Sequence, residues 1–379
     1  MIGKSVYRAA ASALLLFTSV AHAGELQTHA APIFAPLMKT HDIPGVIVGI
    51  TRNGHHEFYA TGVASRAGNT PVTPDTVFEL GSISKLFTAT LAALAEQRGA
   101  IRLDDPVARH VCGGNCSIGN DLTVLDLATH HTGGMPLQVP DEISDVPGVL
   151  RWLQAWTPPQ PGARSYSNIS VGLLGYLPAK AMGMEYKQAA ENVLFPAFGL
   201  HSTWIDVPEN AISRYAWGYE RKTDKPIRVS PGVLDAEAYG VKSTARDMLT
   251  FLDTELGRGD TPDELKKAIA RTQQGQFKTG PFTQAMIWEQ YPWPTAVDVM
   301  VVGNSPEFIL NAQPVEKIST PRDAKTDVIL NKTGSTNGFG GYVAMVPSQG
   351  LGIVVLANRN YPNEARVRAA YALIEALAQ

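Results

Sequence analysis

The sequence predicts an α+β fold of the α/β sandwich type, with an antiparallel sheet built from both chain ends, helices flanking it, and a mostly helical segment inserted between. Three observations predict it. Residues 45–51 and 56–63 are apolar runs hinged on Asn53-Gly54, a hairpin near the start. Residues 327–334, 341–346 and 351–356 are strand-like runs near the end, the last two separated by Ser348-Gln349-Gly350, so the three read as a meander. Between them, residues 82–98 carry Leu86, Phe87, Leu91 and Leu94 at helical spacing, and Gly99 stops the run. The boundaries that follow are approximate: a sheet-containing part over 24–80 and 295–379, a mostly helical part over 81–294, and one catalytic unit over 24–379.

At the N-terminus Lys4 and Arg8 precede the apolar run 9–20, and Ala21-His22-Ala23 has the form of a cleavage site. Together they predict a secretory signal peptide over 1–23, export to the periplasm, and a mature chain that starts near Gly24. The run falls short of the about 20 apolar residues that span a bilayer, so no membrane attachment is expected after cleavage. A formal charge of −3 with charged residues at 18% gives no basic field for nucleic acid, while 44% hydrophobic content supports a large core. The 26 prolines are scattered, with no linker or repeat, and a monomer is the default.

Residues 76–80 read as a short strand, Gly81 as a turn, and Ser82 as the start of a buried helix. Positions i and i+3 share a helix face, so Lys85 can bring its amine beside the Ser82 hydroxyl. A serine hydroxyl is a poor nucleophile until a neighbouring base takes its proton. Lys85 serves as that base only if its pKa falls well below about 10.4, which burial and a second ammonium favour. Read alone, Ser82 is equally a helix N-cap and Lys85 a solvated cation.

Two further strings follow in order. Tyr166-Ser167-Asn168 lies after a Pro161-Gly162 loop and before an apolar run, a place where Asn168 caps a helix or where a phenol and an amide face a ligand together. Lys332-Thr333-Gly334 ends a strand, where a lysine protects a sheet edge or anchors a carboxylate. S-x-x-K is common by chance; the three strings in this order are not.

Residues 78–85, Tyr166-Ser167-Asn168 and 332–340 together resemble a class C serine β-lactamase, a cephalosporinase of the β-lactamase and penicillin-binding protein superfamily. Residues 133–141, 236–242 and 357–366 extend the resemblance over essentially the whole mature chain. It implies the β-lactamase/DD-peptidase-like fold and no cofactor or metal. It implies that Ser82 attacks a lactam carbonyl, that Lys85 and Tyr166 move protons with Lys332 beside them, and that the Ser82 and Ser335 amides hold the oxyanion. Gln138 and Asn168 would hold the substrate's amide side chain and Tyr239 would wall its pocket. Lys332, Thr333, Asn363 and Arg366 would lie around its carboxylate, and Gly334 and Ser335 would bind substrate beside them. Asn363 and Arg366 can equally start and solvate the last helix, whose stripe Val367, Ala370, Tyr371, Ile374 and Leu377 is core. His130-His131-Thr132 departs from the family, which commonly has a tyrosine and small residues there.

Rival functions share the strings: a D-alanyl-D-alanine carboxypeptidase, a serine esterase of the same fold, or a non-enzymatic penicillin sensor that stays acylated. Intact Lys332-Thr333-Gly334 stands against the esterase, and Gln138, Tyr239, Asn363 and Arg366 against the peptidase. Cys112 and Cys116, the only cysteines, can pair in an oxidising compartment. With His110, His130 and His131 they offer metal donors, yet without metal-site spacing. Glu307 in E-x-x-L-N is read as a chance match to the class A deacylation motif.

Overall fold

The computed structural model describes residues 14–116, 118, 122–319 and 327–378. Positions 1–13 of the expected signal peptide lie outside the described residues.

The sheet comes first from the hairpin β1 (Gly45–Arg52) and β2 (His55–Ser65), continued by β3 (Thr70–Pro71). Its remaining strands are β4 (Phe277–Lys278), β5 (Thr283–Gln284), β6 (Glu289–Pro292), β7 (Glu316–Lys317), β8 (Val328–Ser335), β9 (Gly340–Val346) and β10 (Leu351–Ala357). They form one sheet of ten strands in the order β7-β4-β5-β6-β8-β9-β10-β1-β2-β3. Both chain ends meet inside it, where β1 pairs antiparallel with β10 and Val48 faces Val355.

The sheet-building residues of the C-terminal half begin before 295, because β4, β5 and β6 fall inside the segment read as helical. These strands are two to four residues long, too short to show a period of two. β8 therefore lies between β6 and β9, and Lys332 stands in the middle of the sheet, not at an edge.

The pleat sorts alternate residues into two cores. Val46, Val48 and Ile50 of β1 and Ile353 and Val355 of β10 face helix α1 (Leu14–His41) and helix α5 (Asn363–Leu377), whose Val367, Ala370, Tyr371, Ile374 and Leu377 are buried against them. Ile47, Val343, Met345, Val354 and Leu356 face the other side, toward α2 (Ser84–Gln97), α3 (Asn168–Ala181) and α4 (Ala245–Glu255). Every residue of α2 from Ser84 to Ala95 is buried, so this helix is enclosed on all sides and can hold a side chain such as Lys85 away from water. Cys112 and Cys116 form a disulfide, which removes both thiols as metal donors.

Candidate active site

Val77–Glu79 pairs with Lys242–Thr244, and Gly81–Ile83 makes a single tight helical turn before α2. Gly81 has φ +53° and packs its Cα directly on the Ser335 backbone, while a Cβ at Gly334 would overlap the Leu80 carbonyl. Only glycine allows this approach. The two glycines press the end of β8 against the turn that carries Ser82.

Lys85 is fully buried. Its Nζ donates to Ser82 Oγ at 3.1 Å and to the Ala238 carbonyl at 2.6 Å. Burial lowers its pKa to about 8, with the Lys332 ammonium adding to the effect and the Tyr166 phenolate opposing it. Tyr166 precedes α3; its ring lies 5.2 Å from Lys85 Nζ and 5.3 Å from Lys332 Nζ. Burial pushes the phenol up, yet Lys332, Lys85 and hydrogen bonds with Ser82 and Lys85 bring it down to about 8. A serine hydroxyl thus faces an amine and a phenol that both change charge near neutrality, which suits proton transfer in both directions.

Behind this group lies a buried charge set. Lys332, 2% exposed, has Glu289 Oε1 at 3.9 Å, and Arg164 approaches the same oxygen at 3.9 Å. Burial raises the Glu289 carboxyl while Lys332 and Arg164 pull it back.

Ser82, Gln138, Asn168, Tyr239 and Ser335 line one cleft of about 460 Å³. A lobe of about 410 Å³ continues it, sharing Gln138, Asn168 and Tyr239 and walled by Val139, Ile143 and Leu234. Asn168 does not cap α3: Ser167 does, accepting from the Ser170 N–H at 3.1 Å. That leaves the buried Asn168 Oδ1 without a partner among the described residues. Thr333 is buried next to Lys332.

Asn363 opens the last helix, and Arg366 reaches from it to the end of β8. Asn363 donates to the Asn304 carbonyl at 3.0 Å. Arg366 is buried under the strand end, where Nη1 donates to the Gly334 carbonyl at 2.7 Å and Ser335 Oγ at 2.9 Å, and Nη2 to Asn360 Oδ1 at 2.7 Å and the Tyr361 carbonyl. It touches the cleft through Ser335 and solvates no helix. Glu307 is exposed on the short helix Pro306–Leu310.

Sequence reasoning missed the Ala238 carbonyl, Glu289, Arg164 and two cleft residues, Arg228 and Asn360. Arg228 has a readable cue, the aromatic pair Tyr215 and Trp217 on which it stacks at 3.9 and 4.2 Å. A carbonyl acceptor has none.

A sequence model of the family described as Beta-lactamase matches residues 30–378. The chain belongs to the β-lactamases. The class is fixed by the solved structures it resembles. A β-lactamase from Sulfitobacter sp. EE-36 is 60% identical with a TM-score of 0.92, covering 94% of this chain and 98% of that one. A class C β-lactamase from Rhodobacter sphaeroides is 60% identical with a TM-score of 0.90, covering 93% and 99%. A β-lactamase of Pseudomonas fluorescens is 42% identical over 346 residues, 91% of this chain and 96% of that protein. In this class C β-lactamase the predicted fold of one large antiparallel sheet flanked by helices is the observed one.

Proposed function

We propose that the cleft hydrolyses β-lactam antibiotics, cephalosporins foremost, through an acyl-enzyme on Ser82. The observation that carries this is the Lys85 ammonium 3.1 Å from Ser82 Oγ with the Tyr166 phenol beside it and Lys332 beyond. Ser82 Oγ attacks the lactam carbonyl and gives its proton to the Lys85–Tyr166 pair, which returns it to the leaving ring nitrogen. The Ser82 and Ser335 amides receive the oxyanion; one such donor is worth about 3 kcal/mol. The same pair then takes a proton from water as it attacks the ester, releasing the ring-opened acid and restoring Ser82. Gln138 and the unpartnered Asn168 Oδ1 meet the substrate's side-chain amide. Its apolar substituent enters the lobe by Tyr239, and Lys332 with Thr333 faces its carboxylate. Arg366 and Asn363 act on that carboxylate through Ser335 and the start of α5. A class C β-lactamase 37% identical to this chain has been solved in complex with cefoxitin, which supports this substrate class.

The proposal extends to the compartment and the active unit: export through the leader 1–23, cleavage near Gly24, and a periplasmic monomer. Among the described residues no helix is long and apolar enough to cross a membrane. N-terminal sequencing and gel filtration of the exported protein test these points.

The functional test is mass spectrometry of the purified protein with a chromogenic cephalosporin, following adduct and colour together. Rapid hydrolysis with a transient adduct on the Ser82 peptide is expected, and Ser82→Ala loses both while keeping its melting temperature. Two solved neighbours carry D-alanine carboxypeptidase in their names; a long-lived adduct without turnover would favour that reading and sink the hydrolase.

A further inference from the structure

We propose that His130 is a positioning residue for Tyr166, holding the backbone on both sides of the phenol and packing on its ring so that the oxygen stays close to both lysine ammonium groups. The proposal rests on Tyr166 as the proton-transfer group of the function above.

Three contacts carry it. The Ser165 N–H donates to the His130 carbonyl at 2.7 Å. The Ser167 N–H donates to His130 Nδ1 at 3.4 Å. Between them the imidazole and the Tyr166 ring pack in a tilted pair with centroids 4.5 Å apart and planes 38° apart. Residue 166 is therefore bracketed from i−1 to i+1 by one side chain and its own carbonyl.

His130 is itself held firmly. It ends the helix Val124–Thr129 with φ +57°, its N–H bonds the Asp126 carbonyl, and it is 1% exposed. A left-handed residue stops a helix and redirects the chain at once, here toward the 165–167 segment.

The ring is also the right charge. Because Nδ1 accepts from Ser167, the ring proton belongs on Nε2, which finds no partner among the described residues. Burial, and then Arg164, Lys85 and Lys332, hold its pKa well below the usual histidine range. Those three cations, the Tyr166 phenol and the Ser170 hydroxyl at 3.3 Å from Nδ1 face the ring. A neutral imidazole gives Tyr166 a ring to pack on and the Ser167 N–H an acceptor, without adding a fourth cation to Arg164, Lys85 and Lys332.

Loss of the bracket lets the phenol swing away from Lys85 and Lys332, so its pKa climbs back toward about 10. Two variants separate the contacts. His130→Asn tolerates the left-handed backbone and keeps an acceptor while removing the ring contact. His130→Phe keeps a ring and leaves the Ser167 N–H unpaired.

The experiment measures kcat/KM for a chromogenic cephalosporin from about pH 5 to 10, melting temperature, and phenol titration by ultraviolet difference absorbance, with Tyr166→Phe identifying the Tyr166 signal. Each variant is expected to lose about 10- to 100-fold in kcat/KM at neutral pH. The acidic limb and the Tyr166 titration should both move up by about one unit. Unchanged profiles in both variants overturn the proposal, as does a lower melting temperature with an unmoved limb. If one variant fails to fold, the other decides. A parent protein that does not hydrolyse the cephalosporin sinks the functional reading instead, and the Tyr166 titration, which needs no turnover, still decides His130.

Discussion

Tyr166 would be a poor proton acceptor if burial acted alone, because burial pushes its phenol up; Lys332 and Lys85 reverse that and bring it to about 8. The sign for activity follows: below about 8 the phenolate takes a proton and the pair loses its base, so kcat/KM should fall as pH drops through that value. Lys332→Met removes the larger of the two attractions and should move this limb upward by about one unit, read from a pH–rate profile. Tyr166→Phe should slow turnover about 10²- to 10⁴-fold with the melting temperature kept. A phenylalanine variant of parental rate would leave Lys85 as the sole base. Of these groups only Lys85 was legible from local spacing, three residues after Ser82; Tyr166 and Lys332 were legible from the order of the three strings and the family they resemble. The Ala238 carbonyl that accepts from Lys85 at 2.6 Å was not, since every residue has a carbonyl and its direction depends on the fold.

Two of the active elements, the turn Gly81–Ile83 and the end of β8, are held together by glycines at positions 81 and 334. Gly334→Ala should drive a methyl into the Leu80 carbonyl, cost about 1–3 kcal/mol in stability, and lower kcat by separating Lys332 from Ser82; thermal melts and initial rates check both. Its partner in the clamp is Arg366, whose guanidinium joins Gly334, Ser335 and Asn360. The sequence leaves Arg366 open as a helix-start cation or a residue beside the substrate carboxylate, because its bonds to Gly334 and Ser335, 32 and 31 residues away in the chain, are made only in the fold. By contrast the Cys112–Cys116 disulfide spans only a separation of 4 residues. Replacing both cysteines by serine should cost about 2 kcal/mol at most and leave kcat unchanged, as measured by urea titration and rate.

Across the whole molecule, buried carboxyl groups set how stability responds to pH. Glu255 on α4 accepts from Gln273 Nε2 at 2.9 Å, has one oxygen without a partner among the described residues, and is pushed up by burial to about 7. Its folded pKa lies above the ordinary carboxylate value, so its favourable neutral contribution is complete below about 4.5 and is lost as pH rises through 7. Glu255→Gln should therefore gain on the parent by up to about 3 kcal/mol between pH 5 and pH 8, read as the shift in urea midpoint. An equal gain at both pH values would show that the carboxyl does not titrate in this range.

By itself the sequence determined the nucleophile string, the order of the three strings, the terminal hairpin and meander, and the apolar stripe of α5. Apart from the order of the strings, each is written in residues close enough to share a turn, a strand or a helix face. The tertiary structure decided that β4, β5 and β6 join the sheet and make β8 a central strand. It also decided that Arg366 is buried beneath Ser335 and that Glu289 and Arg164 stand behind Lys332. Strands of two to four residues carry no period, and a buried ion group draws its members from segments more than a hundred residues apart, as Arg164 and Lys332 are. Only the folded backbone brings such groups within reach of one another.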